Sequence, residues 1–200
     1  MNKIEVCNLA LGRIGIEPIE SLDEASKAAR TCKQFYDFVR KTVLRKHSWN
    51  FATKREALAL IGSTSAEYKY TYAYPGDAVA LRRLYNKDHT ILPRDNEYRI
   101  MHSSTGTVIH TNIENANIEY TADIEDVSVF DEQFIESLAW KLAAEIALIL
   151  TGSQEIAASC VQAYNAYYVD ATSSDANEEN KIEPRLNRLA RARFEGTTCY

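Results

Sequence analysis

The sequence predicts an α+β protein: a mainly α-helical bundle with a small inserted antiparallel β-sheet or barrel, and an extended C-terminal arm. Three observations predict it. Apolar residues recur three and four apart on both sides of the chain's middle, the spacing that lines one helical face. They fall at Ala25, Ala28, Ala29, Cys32, Phe35, Tyr36, Val39 and Val43, and again at Phe134, Leu138, Leu142, Ala143, Ile146, Ile149 and Leu150. Between these stretches, residues 49–123 change to short alternating runs broken by turn residues, as strands inserted between helices would. Beyond residue 170 the chain turns polar and acidic, then basic. The expected organisation is a bundle from residues 1–48 and 124–172, a β region over 49–123, and a linker with an arm over 173–200.

Taken in order, residues 2–14 form a short helix that offers Val6, Leu9, Ala10, Leu11 and Ile14 to a core. Gly12 and Gly15 flank its end and Pro18 sits in the connection. Residues 21–52 read as one long helix that hands over to a strand. Ser21 with Glu24 fits a capping box, and Asp23 and Glu24 suit the positive helix end. The face opposite the apolar one is basic: Lys27, Arg30, Lys33, Arg40, Lys41, Arg45 and Lys46, with Asp37 the only acid. Trp49 and Phe51 alternate around Asn50, a period of two that starts a strand.

In residues 67–74, Tyr68, Tyr70, Tyr72 and Tyr74 share one strand face. Such a face could stack bases or sugars, and cross-strand packing is the plainer reading. Pro75-Gly76-Asp77 turns the chain into a second strand, AVALRRLYN. Further strands are expected at 90–92, 97–102, 107–111 and 117–121. Asp131 then caps a helix whose apolar face is wide enough for full burial, and Gly152 stops it. Ser153 caps the next helix, which runs through Ile156, Val161, Tyr164, Tyr167 and Tyr168 towards Asp170. Residues 171–183 read as a linker. The last segment carries Arg185, Arg188, Arg191 and Arg193 with Leu186, Leu189 and Phe194 as apolar anchors. It is too short to fold alone and suited to dock on a partner.

A net charge of −5 argues against a general nucleic-acid binder, but it averages an asymmetric chain. From Lys27 to Arg55 there are nine basic residues and one acid, whereas from Ser103 to Trp140 there are eight acids and no Lys or Arg. The two regions either neutralise each other within one subunit or meet across copies of an assembly. Cys7, Cys32, Cys160 and Cys199 are widely spaced, without the pattern of a zinc site or a disulfide framework, and suit a reducing cytosol. The N-terminal residues lack the apolar core of a signal peptide. Lys141 and Glu145 interrupt the longest apolar helix, so no membrane span is expected.

Several of these stretches resemble the tail tubular protein A family, the head-to-tail adaptor (connector) proteins of short-tailed bacteriophages. The resemblance rests on Leu-Ala-Leu-Gly-Arg-Ile-Gly with Pro18-Ile19, and on Arg-x-x-Val-Leu-Arg followed by Trp-x-Phe-Ala at residues 49–52. It continues in Tyr-x-x-Pro-x-Asp followed by Leu-Arg-Arg-Leu. The most specific part is Ala-x-x-Leu-Ala-x-Glu-x-Ala with Thr-Gly-Ser at 151–153. It covers nearly the whole chain and is weakest over residues 85–117. The resemblance implies a structural virion protein, made in the host cytoplasm, with no catalysis and no cofactor. It implies a closed ring of twelve copies between the portal protein and a tail nozzle protein similar to tail tubular protein B, with the C-terminal arm reaching the portal. A ring needs two different faces on each subunit. The candidates are the basic Arg30, Lys33, Arg40, Lys41 and Arg45, and the acidic Glu114, Glu119, Asp123, Glu125, Asp126, Glu132 and Glu136. A sequence-blind contact of the basic arm with DNA in the channel stays open.

The residues themselves offer little chemistry. His47, His89, His102 and His110 form no nucleophile or metal motif, though His102 and His110 could meet across a hairpin. No phosphate-binding loop or dinucleotide fingerprint is present. The one enzyme-like feature is the crowd of Glu114, Glu119, Asp123, Glu125 and Asp126. Two of these carboxylates at glycosidase separation would make a tail-associated glycan hydrolase the alternative function. Acids ahead of a helix N-terminus are also what capping requires.

Overall fold

The computed structural model describes residues 1–62, 67–86, 98–104 and 106–178 of the chain. The first helix, α1 (Lys3–Arg13), opens on a capping box. The Asn2 side chain accepts from the Glu5 amide, and the Glu5 carboxylate accepts from the Asn2 amide. α2 (Lys27–Lys46) starts later than the sequence suggests. Its N-cap is Ser26, whose Oγ accepts from the Ala29 amide at 3.0 Å. Ser21 and Glu24 fold a turn instead. Ser21 Oγ takes the Asp23 amide and the Glu24 carboxylate takes the Glu20 amide, local bonds that compete with helix.

α2 ends at Lys46 with His47 as its C-cap, before Trp49 as expected, but no strand follows at once. Residues Asn50–Ala52 make a short 3₁₀ turn. Trp49 is wholly buried there: its indole N–H donates to the Val43 carbonyl at 3.1 Å and its ring stands edge-on to Phe134. Both apolar side chains of the expected period-two run thus point into the bundle. Phe51 packs on Phe130 and Phe134.

The inserted region holds two antiparallel sheets. Strands β1 (Thr53–Ala57), β7 (Asn117–Ala122) and β4 (Ala78–Tyr85) form one in that order, with β7 central. Strands β2 (Leu60–Gly62), β3 (Tyr70–Ala73), β6 (Gly106–Thr111) and β5 (Tyr98–Ser103) form the other. They enclose a separate small core of Leu58, Tyr72, Leu84, Ile109, Ile118 and Tyr120. The tyrosine face is packing: Tyr72 is buried with its hydroxyl donating to the Ile113 carbonyl, and Tyr70 and Tyr74 lie against the same core. The strand expected at 90–92 lies outside the described residues.

α3 (Glu132–Thr151) starts at Asp131, whose carboxylate accepts from the Gln133 amide, and ends at Gly152 with φ +71. It is the axis of the bundle, packed on α1, α2 and α4, with Phe134, Leu138, Leu142 and Ile146 fully buried. Ser153 caps α4 (Gln154–Glu178) as expected, its Oγ accepting from the Ile156 amide. This helix runs on through residues 171–178, where a linker was expected. The reason is tertiary. Asp175 is buried, its carboxylate meeting His47 Nε2 at 2.9 Å and the Asn50 amide at 3.0 Å, while its carbonyl takes the Asn50 side chain. Polar sequence is held helical because the turn after α2 supplies its partners. Among the described residues, no helix is long and apolar enough to cross a membrane.

Candidate functional site

The charged residues singled out in the sequence gather along the seam between the bundle and the first sheet. Arg40, on the inward side of α2, is only 1 % exposed. Its guanidinium donates to Asp123 Oδ1 at 2.5 Å and to the Ile124 carbonyl, with Glu125 at 3.7 Å. Lys41 Nζ meets the other oxygen of Asp123 at 2.8 Å. Asp123 itself closes the sheet, its amide donating to the Asp77 carbonyl. Burial pushes the Asp123 carboxyl up, but the hydrogen bonds from Lys41 and Arg40 outweigh it, and the group is held below its ordinary value.

This placement corrects one expectation. Arg40 cannot be part of a face that meets another subunit, because its charge is enclosed within its own chain. Arg40, Lys41, Asp123 and Glu125 are the part of the charge asymmetry that cancels inside one subunit. Arg30 is exposed, Lys33 is exposed and paired with Asp23 at 2.6 Å, and Arg45 is exposed with one donor on the Val79 carbonyl. Those three remain on the surface. Among the acids, Glu114, Glu125, Asp126 and Glu132 are exposed, and Glu136 binds Arg13, whose guanidinium lies 4.2 Å over the Trp140 ring. The expected docking arm (Arg185, Leu186, Arg188, Leu189, Arg191, Arg193 and Phe194) and Cys199 lie outside the described residues.

Of the five crowded carboxylates, Asp123 and Glu125 share one partner, Arg40, and Glu119 and Asp126 take partners of their own. Glu119 sits on β7 and accepts from Arg55 Nε at 2.8 Å. Asp126 accepts from the Ser128 amide, and the Ser128 hydroxyl together with that amide holds its carboxyl below the ordinary range. Asp123 and Glu125 converge on Arg40. A glycosidase acid needs a carboxyl whose pKa is raised, and Asp123 is shifted the other way. His102 and His110 do not meet either. His110 lies opposite Arg99 and His102 opposite Thr107, an odd separation that puts the two rings on opposite sheet faces. His110 Nδ1 is instead 2.9 Å from Thr71 Oγ1. Among the described residues no group of three or more His, Cys, Asp and Glu is placed to hold a metal ion.

A constellation that the sequence reading passed over lies on the outer face of the first sheet. In register, Arg55 of β1 and Arg83 of β4 flank Glu119 of β7 from both sides. A bulge between Leu81 and Arg83 lets Arg82 share that face. Arg82 Nε donates to Thr121 Oγ1 at 2.8 Å, and its Nη2 reaches the carbonyls of Leu44, Arg45 and His47. These are free carbonyls at the end of α2, so the strand's arginine completes the helix. With Ser48 and Asn50 as a rim, the group lines a cavity of about 580 Å³. Only the Arg82-Arg83 pair within the strand could have hinted at it, since the register is a property of three strands.

When the chain is compared with known proteins, no family model matches it. No curated protein matches it either.

Proposed function

We propose that this chain is a structural virion protein, a head-to-tail adaptor. It forms a ring between a portal protein and a tail nozzle protein, keeps the DNA channel continuous, and performs no catalysis. The support is the resemblance in α2, the turn after β3, and α3 to the short-tailed phage adaptor family. The structural observation that agrees best is the edge of the second sheet. β5 pairs with β6 alone among the described strands, and it is exposed throughout, with Tyr98, Ile100 and Met101 at 41 %, 44 % and 45 %. An apolar strand paired on one side only among the described residues is a hazard to a lone protein and a natural surface for one that works inside an assembly.

On this reading two exposed surfaces meet across copies, the basic one at Arg30, Lys33 and Arg45 and the acidic one at Glu114 and Glu132. Arg185–Phe194 carries the contact with the portal. Light scattering of the full chain, alone and mixed with a portal ring, tests the proposal. Uptake of many copies per ring, lost on deleting residues 181–200, is the expected result. A chain that ignores portal rings would overturn it.

A further inference from the structure

The geometry points to a phosphate-binding site in the cavity between the first sheet and the end of α2. It would take a phosphoryl oxyanion, supplied by a nucleic-acid phosphodiester or as free phosphate. This inference stands whether or not the chain is an adaptor.

Three guanidinium groups and one carboxylate line the cavity, so its charge is positive. The donors differ in how far they are engaged. Arg82 is committed to the end of α2 and to Thr121, which makes it a fixed positive wall. Arg55 uses Nε for Glu119 and keeps its terminal nitrogens free of any partner among the described residues. Arg83 is exposed and has no hydrogen bond or ion pair among the described residues. Asp175, which accepts from Asn50 at the rim, is already taken by that residue and His47.

Arg55 and Arg83 sit on the strands either side of β7, two strand spacings or about 10 Å apart at the backbone. Their long side chains can therefore approach one ligand from opposite sides. A planar carboxylate is satisfied by one arginine fork. A tetrahedral phosphate has oxygens for two, with more left for hydroxyl or amide donors such as Ser48 at the rim. Glu119 does not fill the place of the anion, because it lies buried on the floor and turns one oxygen to Arg55. Its role is to orient that arginine.

The test uses the full chain at low salt with two probes, inorganic phosphate by calorimetry and a labelled duplex oligonucleotide by fluorescence anisotropy. Arg83→Gln removes an unpaired exposed fork, so the variant folds, which circular dichroism checks. Arg99→Gln removes the same charge from an exposed position on the other sheet. The expected result is about tenfold weaker binding in R83Q, one charge-assisted contact, and none of that loss in R99Q. Binding of free phosphate without the duplex assigns the site to a small anion. Duplex binding that phosphate competes away assigns it to the phosphodiester backbone. Three results would overturn the inference: no binding of either probe, equal losses in R83Q and R99Q, or a polyglutamate peptide binding more tightly than both probes.

Discussion

Arg82 of β4 donates to the carbonyl of Leu44, in the last turn of α2, at 3.1 Å. A helix leaves its last four carbonyls without internal partners, and here a strand from the inserted region supplies the donor. The helical and β parts of the protein are therefore joined by a completed helix end as well as by contact.

Replacing Arg82 with Met keeps much of the stem's packing and removes the donors. The carbonyls of Leu44, Arg45 and His47 then stay under-satisfied in a half-buried place. The expected loss is about 2 kcal/mol of unfolding free energy, read from urea denaturation midpoints. A variant as stable as the parent would show that water replaces the guanidinium without cost.

Asp123 makes stability depend on acid. Its carboxyl is lowered from 3.8 in the folded chain, so the unfolded chain binds the proton more readily. The stabilisation is fully present above 3.8 and is lost as pH falls through the lower folded value. Asp123→Asn should flatten the acid limb of a plot of stability against pH while costing stability at neutral pH. Arg40→Met is the harsher change, since it leaves Asp123 facing Lys41 alone at a buried seam. About 3 kcal/mol is expected at pH 7.

Gly152 supplies a third test. Its φ is +71, and a Cβ there would meet nothing within 4 Å. Gly152→Ala therefore reports backbone strain without a clash, and about 1 kcal/mol of destabilisation is expected by thermal or urea unfolding. A much larger loss would mean that the α3–α4 turn moves.

Much of this fold was legible because local signals agreed with tertiary ones. Asp131 and Gly152 bound α3 by chemistry that needs no knowledge of the rest of the chain, and the strand before Pro75 follows from the alternation of its tyrosines. The misreadings came where one local pattern serves two structures. Ser21 and Glu24 can cap a helix or close a turn with the same atoms. Trp49 and Phe51 alternate as a strand would, yet a 3₁₀ turn also sends both rings inward. The helical end of α4 was hidden because composition is blind to the bonds Asp175 makes with His47 and Asn50. The sequence showed a basic region facing an acidic one, but not which pairs close within the chain. Arg40 with Asp123 is settled by burial, and Arg55–Glu119–Arg83 by strand register.

The pairing of β1 with β7 puts Thr53 opposite Thr121. The chain leaves the bundle and returns to it at neighbouring points. To the helices, the whole excursion between those residues is a single closed loop. The entropy of closing such a loop grows only logarithmically, by about 0.6 kcal/mol for each doubling in length. Strands could be added to or trimmed from the far sheet with little effect on the bundle, provided β1, β7 and the arginine in β4 stay in place. The length of the second sheet is thus a weak constraint on the bundle, although Tyr72 and Ile109 tie that sheet to the first through their shared core.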